Sequence, residues 1–228
     1  MQVVYEDNHL IVVCKAVGEI VQGDKTGDLP LVDSVKAYLK EKYHKTGNVF
    51  AGLVHRLDRP VAGLVVFAKT SKALSRMNKM LKEGRMRKTY LAIVESKPAA
   101  PQARLIAFLY KNEQQNKSYV VSPNRAGAKK AILSYRLVGS GDRYQLLEVN
   151  LETGRHHQIR CQLAHMGCVI RGDLKYGAKR SNHDGGISLL AYRLYFEHPV
   201  SHTMLDLVVP MGCVDPLFAT LLQCSRSM

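Results

Sequence analysis

The chain has no tryptophan, and aromatic residues make up only 7% of its 228 positions. Cysteine is sparse as well. Cys14, Cys161, Cys168, Cys213 and Cys224 are odd in number and form no C-x-x-C pair, which argues against a disulfide framework and against a structural zinc site. They read as small buried thiols. No apolar run approaches the roughly 18 to 20 residues a bilayer crossing needs, so no membrane partner is expected. Glu6 and Asp7 stand where a signal peptide would carry basic residues, and the expected location is cytoplasmic. Acidic side chains are also scarce, with 19 Asp+Glu against 33 Lys+Arg, a formal net charge of +14. Such an excess costs self-repulsion and points to a polyanionic partner, because each cation placed near a phosphate gains from counterion release. A basic surface with no dedicated ligand is the plainer alternative.

The hydrophobic content of 46% suffices for one substantial core. Two leading strands are expected at Val3–Tyr5 and Leu10–Val13, turning at Asp7-Asn8. Val32, Val35, Leu39 and Tyr43 recur at helical spacing after a cap at Asp33 or Ser34. A strand, loop, strand unit fits Leu53 to Asp58 and Leu64 to Lys69. Ser71 opens a second helix with Leu74, Met77 and Leu81 inward, and Gly84 closes it. Strand character returns over Lys88 to Glu95. From Ala103 to Asn150, β-branched and aromatic alternation interrupted at Asn112–Lys117 and Gly139–Asp142 predicts antiparallel strands. A helix carrying Ile159, Leu163 and Met166 follows Gly154, and strands are expected over Ile187–Phe196 and Met204–Val209. There is no repeat, low-complexity tract or linker, so residues 1–228 are expected to form a single α+β domain.

Asp58 is the first residue that could carry chemistry. It ends an apolar segment between Arg56 and Arg59, and if that segment is an alternating strand, Arg56 and Asp58 share one face while His55 and Leu57 share the other. Flanking cations favour the ionised carboxylate that a nucleophile or base needs. A surface Asp-Arg pair at a strand end, worth little energy, would leave the same pattern. His156, His157 and His165, with Asp173 nearby, offer a metal alternative, and a metal-dependent nuclease using Asp58 and histidines is a rival reading, but their spacing fits no tetrahedral zinc pattern, and no metal is expected. His156 and Arg160 are four apart and would share a helix face, with Arg155 elsewhere and free to meet a phosphate.

The stretch Gly52-Leu-Val-His-Arg-Leu-Asp-Arg-Pro-Val-Ala-Gly-Leu-Val-Val-Phe-Ala-Lys69 resembles the signature of the ribosomal large-subunit (RluA-like) pseudouridine synthases. Further blocks match in the same order. Lys88-Thr-Tyr90 resembles the family's tyrosine motif, Gly154-Arg-His-His-Gln-Ile-Arg160 its arginine motif, and Gly172-Asp-Leu-Lys-Tyr-Gly177 the loop that follows. Leu189 to Pro199 resembles the final core strand, and Glu6 to Lys15 the family's usual start, so the likeness runs from about residue 3 to 210. The family commonly has Lys-Pro, Ser and His where this chain has Lys15-Ala16, Ala62 and Leu190.

The resemblance implies a curved, mixed and mostly antiparallel sheet flanked by helices, with a central RNA-binding cleft and no separate N-terminal RNA-binding domain. It implies isomerisation of uridine to pseudouridine in ribosomal or transfer RNA, without a cofactor, by a chain expected to be a monomer that does not act on DNA. Asp58 would be the catalytic carboxylate, Tyr90 would stack on the target base, and Arg160 would pair with Asp58. Arg56 would guard the gap left by the extruded base, Leu189 would wall the base, and Arg59, Lys88, Arg155 and His157 would contact RNA. The basic series Lys72, Arg76, Lys79, Lys82, Arg85 and Arg87, with Lys129-Lys130, could track phosphates. The rival is a catalytically silent RNA-binding or ribosome-assembly factor on the same scaffold, against which intact Asp58, Tyr90 and Arg160 argue.

Overall fold

The computed structural model describes residues 1–24, 27–210, 212 and 214–224. In chain order the strands are β1 (Gln2–Glu6), β2 (Leu10–Lys15), β3 (Gly52–Leu53), β4 (Ala62–Ala68), β5 (Arg87–Val94), β6 (Gln102–Asn112), β7 (Lys117–Val121), β8 (Lys129–Ser140), β9 (Gln145–Leu151), β10 (Leu189–Glu197) and β11 (Met204–Val208). The helices are α1 (Leu31–Lys42), α2 (Ser71–Lys82), α3 (Gln158–His165) and α4 (Pro216–Cys224). The fold is α+β, with mixed and mostly antiparallel sheet. The residues gather into two compact units, Met1–Met86 with Ala191–Cys213, and Arg87–Leu190 with Val214–Met228.

In the first unit, Asp7 closes the hairpin between β1 and β2 by accepting the amides of His9 and Leu10 at 2.8 and 2.7 Å, which is the turn the sequence predicts. Every residue of β2 is buried, from Leu10 to Lys15, as expected of a strand covered on both faces. It pairs antiparallel with β4, running from Leu10 opposite Ala68 to Lys15 opposite Gly63. Gly63 is required by its surroundings: at φ 122° a Cβ there would lie 2.4 Å from the Ala191 carbonyl oxygen. Helix α1 buries Leu31, Val35 and Leu39, with Asp33 inside the first turn instead of capping it. Helix α2 is capped by Thr70, whose side chain accepts from the Ala73 amide. It buries Ala73, Met77 and Met80, one position away from the expected Leu81.

The expected strand over Leu53–Asp58 is only partly present. Gly52 and Leu53 pair with β4, the Val54 amide still donates to Val66 O at 3.1 Å, and then the chain leaves the ladder. Val54 and Leu57 are nevertheless buried, so the segment keeps an apolar pattern as an irregular loop against the core. Strand alternation therefore does not set the direction of Asp58.

Glu6 ties α1 to β1. Its carboxylate, 7% exposed, accepts from Lys42 at 2.7 Å, Tyr38 at 3.0 Å, Tyr43 at 2.6 Å and Lys69 at 3.0 Å. Burial would raise its pKa, but these four donors outweigh burial and lower it from 4.5 to about 2. A folded-state value below the unfolded one gives stability that is present above pH 4.5 and lost as pH falls toward 2. Glu6→Gln should cost about 2 kcal/mol near neutral pH, or roughly 4–8 °C in melting temperature. The difference from wild type should shrink in melts run at progressively lower pH. A gap that holds constant down to pH 3 would show that the charge of Glu6 is not the source.

The second unit is an antiparallel sheet in the spatial order β5, β9, β8, β6, β7, in which only β6–β7 and β8–β9 are hairpins. The turns fall where Asn112–Lys117 and Gly139–Asp142 predict them. Leu91, Ala92, Ile93 and Val94 in β5 are 0–1% exposed. Helix α3 packs on β6 and β7, where Cys161 joins Leu109 and Ala131 in a buried cluster flanked by Ala107, Val120 and Tyr176. The register of β8 on β9 shifts between Leu137 and Gly139, and a Cβ on Gly139 would lie 2.2 Å from the Leu221 carbonyl of α4. Cys14, Cys161 and Cys168 are buried. Cys213 and the side chain of Cys224 lie outside the described residues.

Candidate active site

In the first unit, the loop carrying Asp58 is held by a lysine. Lys15 is 0% exposed, and its ammonium donates to the carbonyls of Ala16, Arg59 and Val61 at 2.9, 3.0 and 2.7 Å. Two of those acceptors belong to the tight turn in which the Val61 amide returns to Asp58 O at 3.0 Å. Burial lowers the Lys15 pKa to about 8, while the charges of Glu19 and Asp58 pull it back up. A lysine ending an otherwise apolar, fully buried strand is the signal for this role. Ala16, in place of the family's usual proline, uses the amide a proline lacks to donate to Glu19 at 2.7 Å. Asp58 is half-buried, and Arg56 and Arg59 are exposed. Arg59 forms a surface ion pair with Asp28.

In the second unit, Tyr90 is 8% exposed on β5 and sits opposite Val149 of β9. Lys88, two residues earlier, is half-buried, and burial lowers its pKa. Its ammonium would lie 3.5 Å from a Cβ on Gly154, an ordinary contact distance, so two of the motif blocks meet there. Leu189 is buried at the start of β10. The exposed Arg155 donates through Nε to Lys130 O at 2.9 Å.

Arg160 is 5% exposed, so it is not a solvated helix residue. Its guanidinium donates from Nε and Nη2 to the two oxygens of Asp173, at 2.7 and 2.8 Å, the fork geometry in which arginine binds a carboxylate most strongly. From Nη1 it donates to His157 Nε2 at 3.0 Å. Asp173 is 1% exposed, so its place in the sequence beside three histidines reflects this ion pair. Among the described residues, no group of three or more His, Cys, Asp or Glu could hold a metal ion.

The expected pairing of faces within α3 needs correction. The helix begins at Gln158, and His157 before it has left-handed backbone, φ 51° and ψ 27°, so His156 lies outside the helix and the i, i+4 relation to Arg160 does not apply. His156 instead stacks on His157, with ring centres 3.8 Å apart, and its Nδ1 lies 2.9 Å from Ser118 Oγ. His157 is buried, with one ring nitrogen on Arg160 and the other 3.0 Å from the Tyr176 hydroxyl. Tyr176 and Ser118 are not singled out by sequence; the only pointer to Tyr176 is its place in the Gly172–Gly177 block.

Residues 9–165 match the model of the RNA pseudouridylate synthase family. The chain belongs to that family, whose members are isomerases. It is 31% identical over 217 residues to ribosomal large subunit pseudouridine synthase D of Zymomonas mobilis, covering 90% of this chain and 68% of that one. Against ribosomal large subunit pseudouridine synthase C of Vibrio cholerae it is 30% identical, covering 92% and 65%, so the chain spans about two thirds of the length of these relatives. Among solved structures it resembles human RNA pseudouridylate synthase domain containing 4, with TM-score 0.79 and 22% identity over 99% of this chain and 93% of that one. That likeness agrees with the α+β fold. No helix among the described residues is long and apolar enough to cross a membrane.

Proposed function

We propose that the chain converts uridine to pseudouridine in structured RNA, with Asp58 as catalytic carboxylate, Tyr90 as the aromatic face for the extruded base and Arg160 as the cation that favours the ionised carboxylate. The relatives named for the large ribosomal subunit make ribosomal RNA the first substrate to test, with transfer RNA second. The observation that carries the reading is the burial of Arg160. Breaking a buried ion pair is costly, and building one adds little stability over apolar packing, so a fully clamped guanidinium in the arginine motif points to chemistry.

The reaction breaks the bond from sugar C1′ to uracil N1, turns the base and forms the bond from C1′ to C5. The C5 proton leaves and N1 gains one, so no oxidant, reductant or water is consumed. Attack by the carboxylate on base or sugar, and removal of a sugar proton, all require ionised Asp58. The Tyr90 hydroxyl is suited to help remove the C5 proton. Arg56, exposed beside Asp58, is suited to occupy the gap left by the flipped nucleotide. Lys72, Lys79, Lys82, Arg85 and Arg87 are exposed, as phosphate contacts would have to be.

Purified protein incubated with total RNA from cells lacking the gene should form pseudouridine at discrete positions, and mapping should find those positions unmodified before incubation. Absence of any new pseudouridine would leave the silent RNA-binding factor as the better account. Binding should also weaken by orders of magnitude between about 50 and 200 mM salt if six or more phosphates are contacted. A dissociation constant that is flat over that range would rule out the electrostatic account.

A further inference from the structure

We propose that His157, fixed as one neutral tautomer by Tyr176 and Ser118, is a positioning residue that sets the plane and direction of the Arg160 guanidinium. The proposal rests on Arg160 acting in catalysis, as argued above. A guanidinium donates and cannot accept, so the 3.0 Å contact with Arg160 Nη1 makes His157 Nε2 an acceptor. The remaining proton is then on Nδ1, which faces the Tyr176 hydroxyl at 3.0 Å. That hydroxyl donates to Ser118 O at 3.2 Å and accepts the Ser118 amide at 2.9 Å. A tyrosine oxygen tied on both sides to one backbone residue of β7 cannot turn, so the histidine tautomer is set by the sheet. Burial, together with the charge of Arg160, lowers the His157 pKa from 6.5 to about 2, which keeps the acceptor lone pair available near neutral pH.

Two further features show that the site holds the imidazole in place. His157 adopts left-handed backbone, a conformation that non-glycine residues take uncommonly, histidine more often than most, at a cost of the order of 1 kcal/mol. Its ring is also stacked on His156, at an interplanar angle of 20°, and His156 is itself anchored to Ser118. Asp173 alone would fix one edge of the guanidinium and leave it free to pivot about that edge. The imidazole, bonded to Nη1, removes the pivot. Its role in the arginine motif is therefore to aim Arg160, in place of the direct RNA contact the sequence suggests.

The test compares His157→Leu, His157→Gln and Tyr176→Phe with wild type and with Arg160→Ala, using total RNA from cells lacking the gene. Single-turnover pseudouridine formation, RNA affinity and melting temperature are measured for each. Gln carries an amide that can accept near the position of Nε2, whereas Leu cannot. His157→Leu should slow product formation at least tenfold with RNA affinity unchanged within about twofold, His157→Gln should recover most of the rate, and Tyr176→Phe should fall between them. Equal rate loss in the Leu and Gln variants, in step with lost melting temperature, would make the role structural and overturn the proposal. So would wild-type rates in His157→Leu when Arg160→Ala is inactive. Wild-type protein that forms no pseudouridine fails the proposed function itself, an outcome separate from either of these.

Discussion

Asp58→Asn is expected to abolish pseudouridine formation while leaving the fold and RNA affinity close to wild type. Asparagine keeps the size of the side chain and one acceptor oxygen, but it has neither the charge nor the basicity that every route through Asp58 requires. The loop around it should survive, because Lys15 grips the carbonyls of Ala16, Arg59 and Val61 and the turn closes on the Asp58 carbonyl; these are backbone groups that the substitution leaves unchanged. Removing a negative charge near RNA phosphate should hold or modestly tighten binding. An aspartate of purely structural importance would behave differently, losing melting temperature and affinity together while activity fell only in proportion. The measurements are melting temperature, RNA binding and single-turnover product, made side by side. Product formed within tenfold of the wild-type rate, a barrier change of about 1.4 kcal/mol, would remove Asp58 from the catalytic role.

What could be read from sequence divides along physical lines. Helices α1 and α2 are legible because their contacts recur every three or four residues, as Leu31, Val35 and Leu39 or Ala73, Met77 and Met80 do. The hairpins β6–β7 and β8–β9 are legible because their turns carry Asn, Gly and Asp. The segment after Leu53 misleads, since Val54 and Leu57 are buried while the backbone is irregular, and burial pattern alone cannot distinguish a paired strand from a loop laid on a core. The start of α3 is hidden for a similar reason. Nothing in two adjacent histidines announces that one takes left-handed backbone and ends the helical register. Arg160, Asp58 and Tyr90 stand out only through motif resemblance, because spacing alone allows surface pairs and core packing. Of the partners of Arg160, Asp173 is 13 residues away, and the Tyr176 that holds His157 reaches Ser118 across 58. A buried ion pair formed through a turn leaves no periodic trace.

Asp173→Asn should be among the most destabilising single substitutions in the chain. The ion pair has side chains 6% and 1% exposed, so solvent cannot replace the lost charge and Arg160 would stay buried with its main counter-ion gone. Removing one partner of such a pair typically costs about 3–5 kcal/mol, which for a chain of this length is roughly 6–20 °C of melting temperature. Asparagine can still accept one of the two bonds now made by Nε and Nη2, so the lower half of the range is the better expectation. The double variant Arg160→Met, Asp173→Leu separates charge from packing. With both charges removed the desolvation penalty goes too, and the double variant should melt above Asp173→Asn although it changes two core residues. It should be inactive nonetheless, because the proposed chemistry needs the guanidinium. If Asp173→Asn instead melts within 2 °C of wild type, a loss under about 1 kcal/mol, then Asp173 is not the group whose charge compensates the buried Arg160.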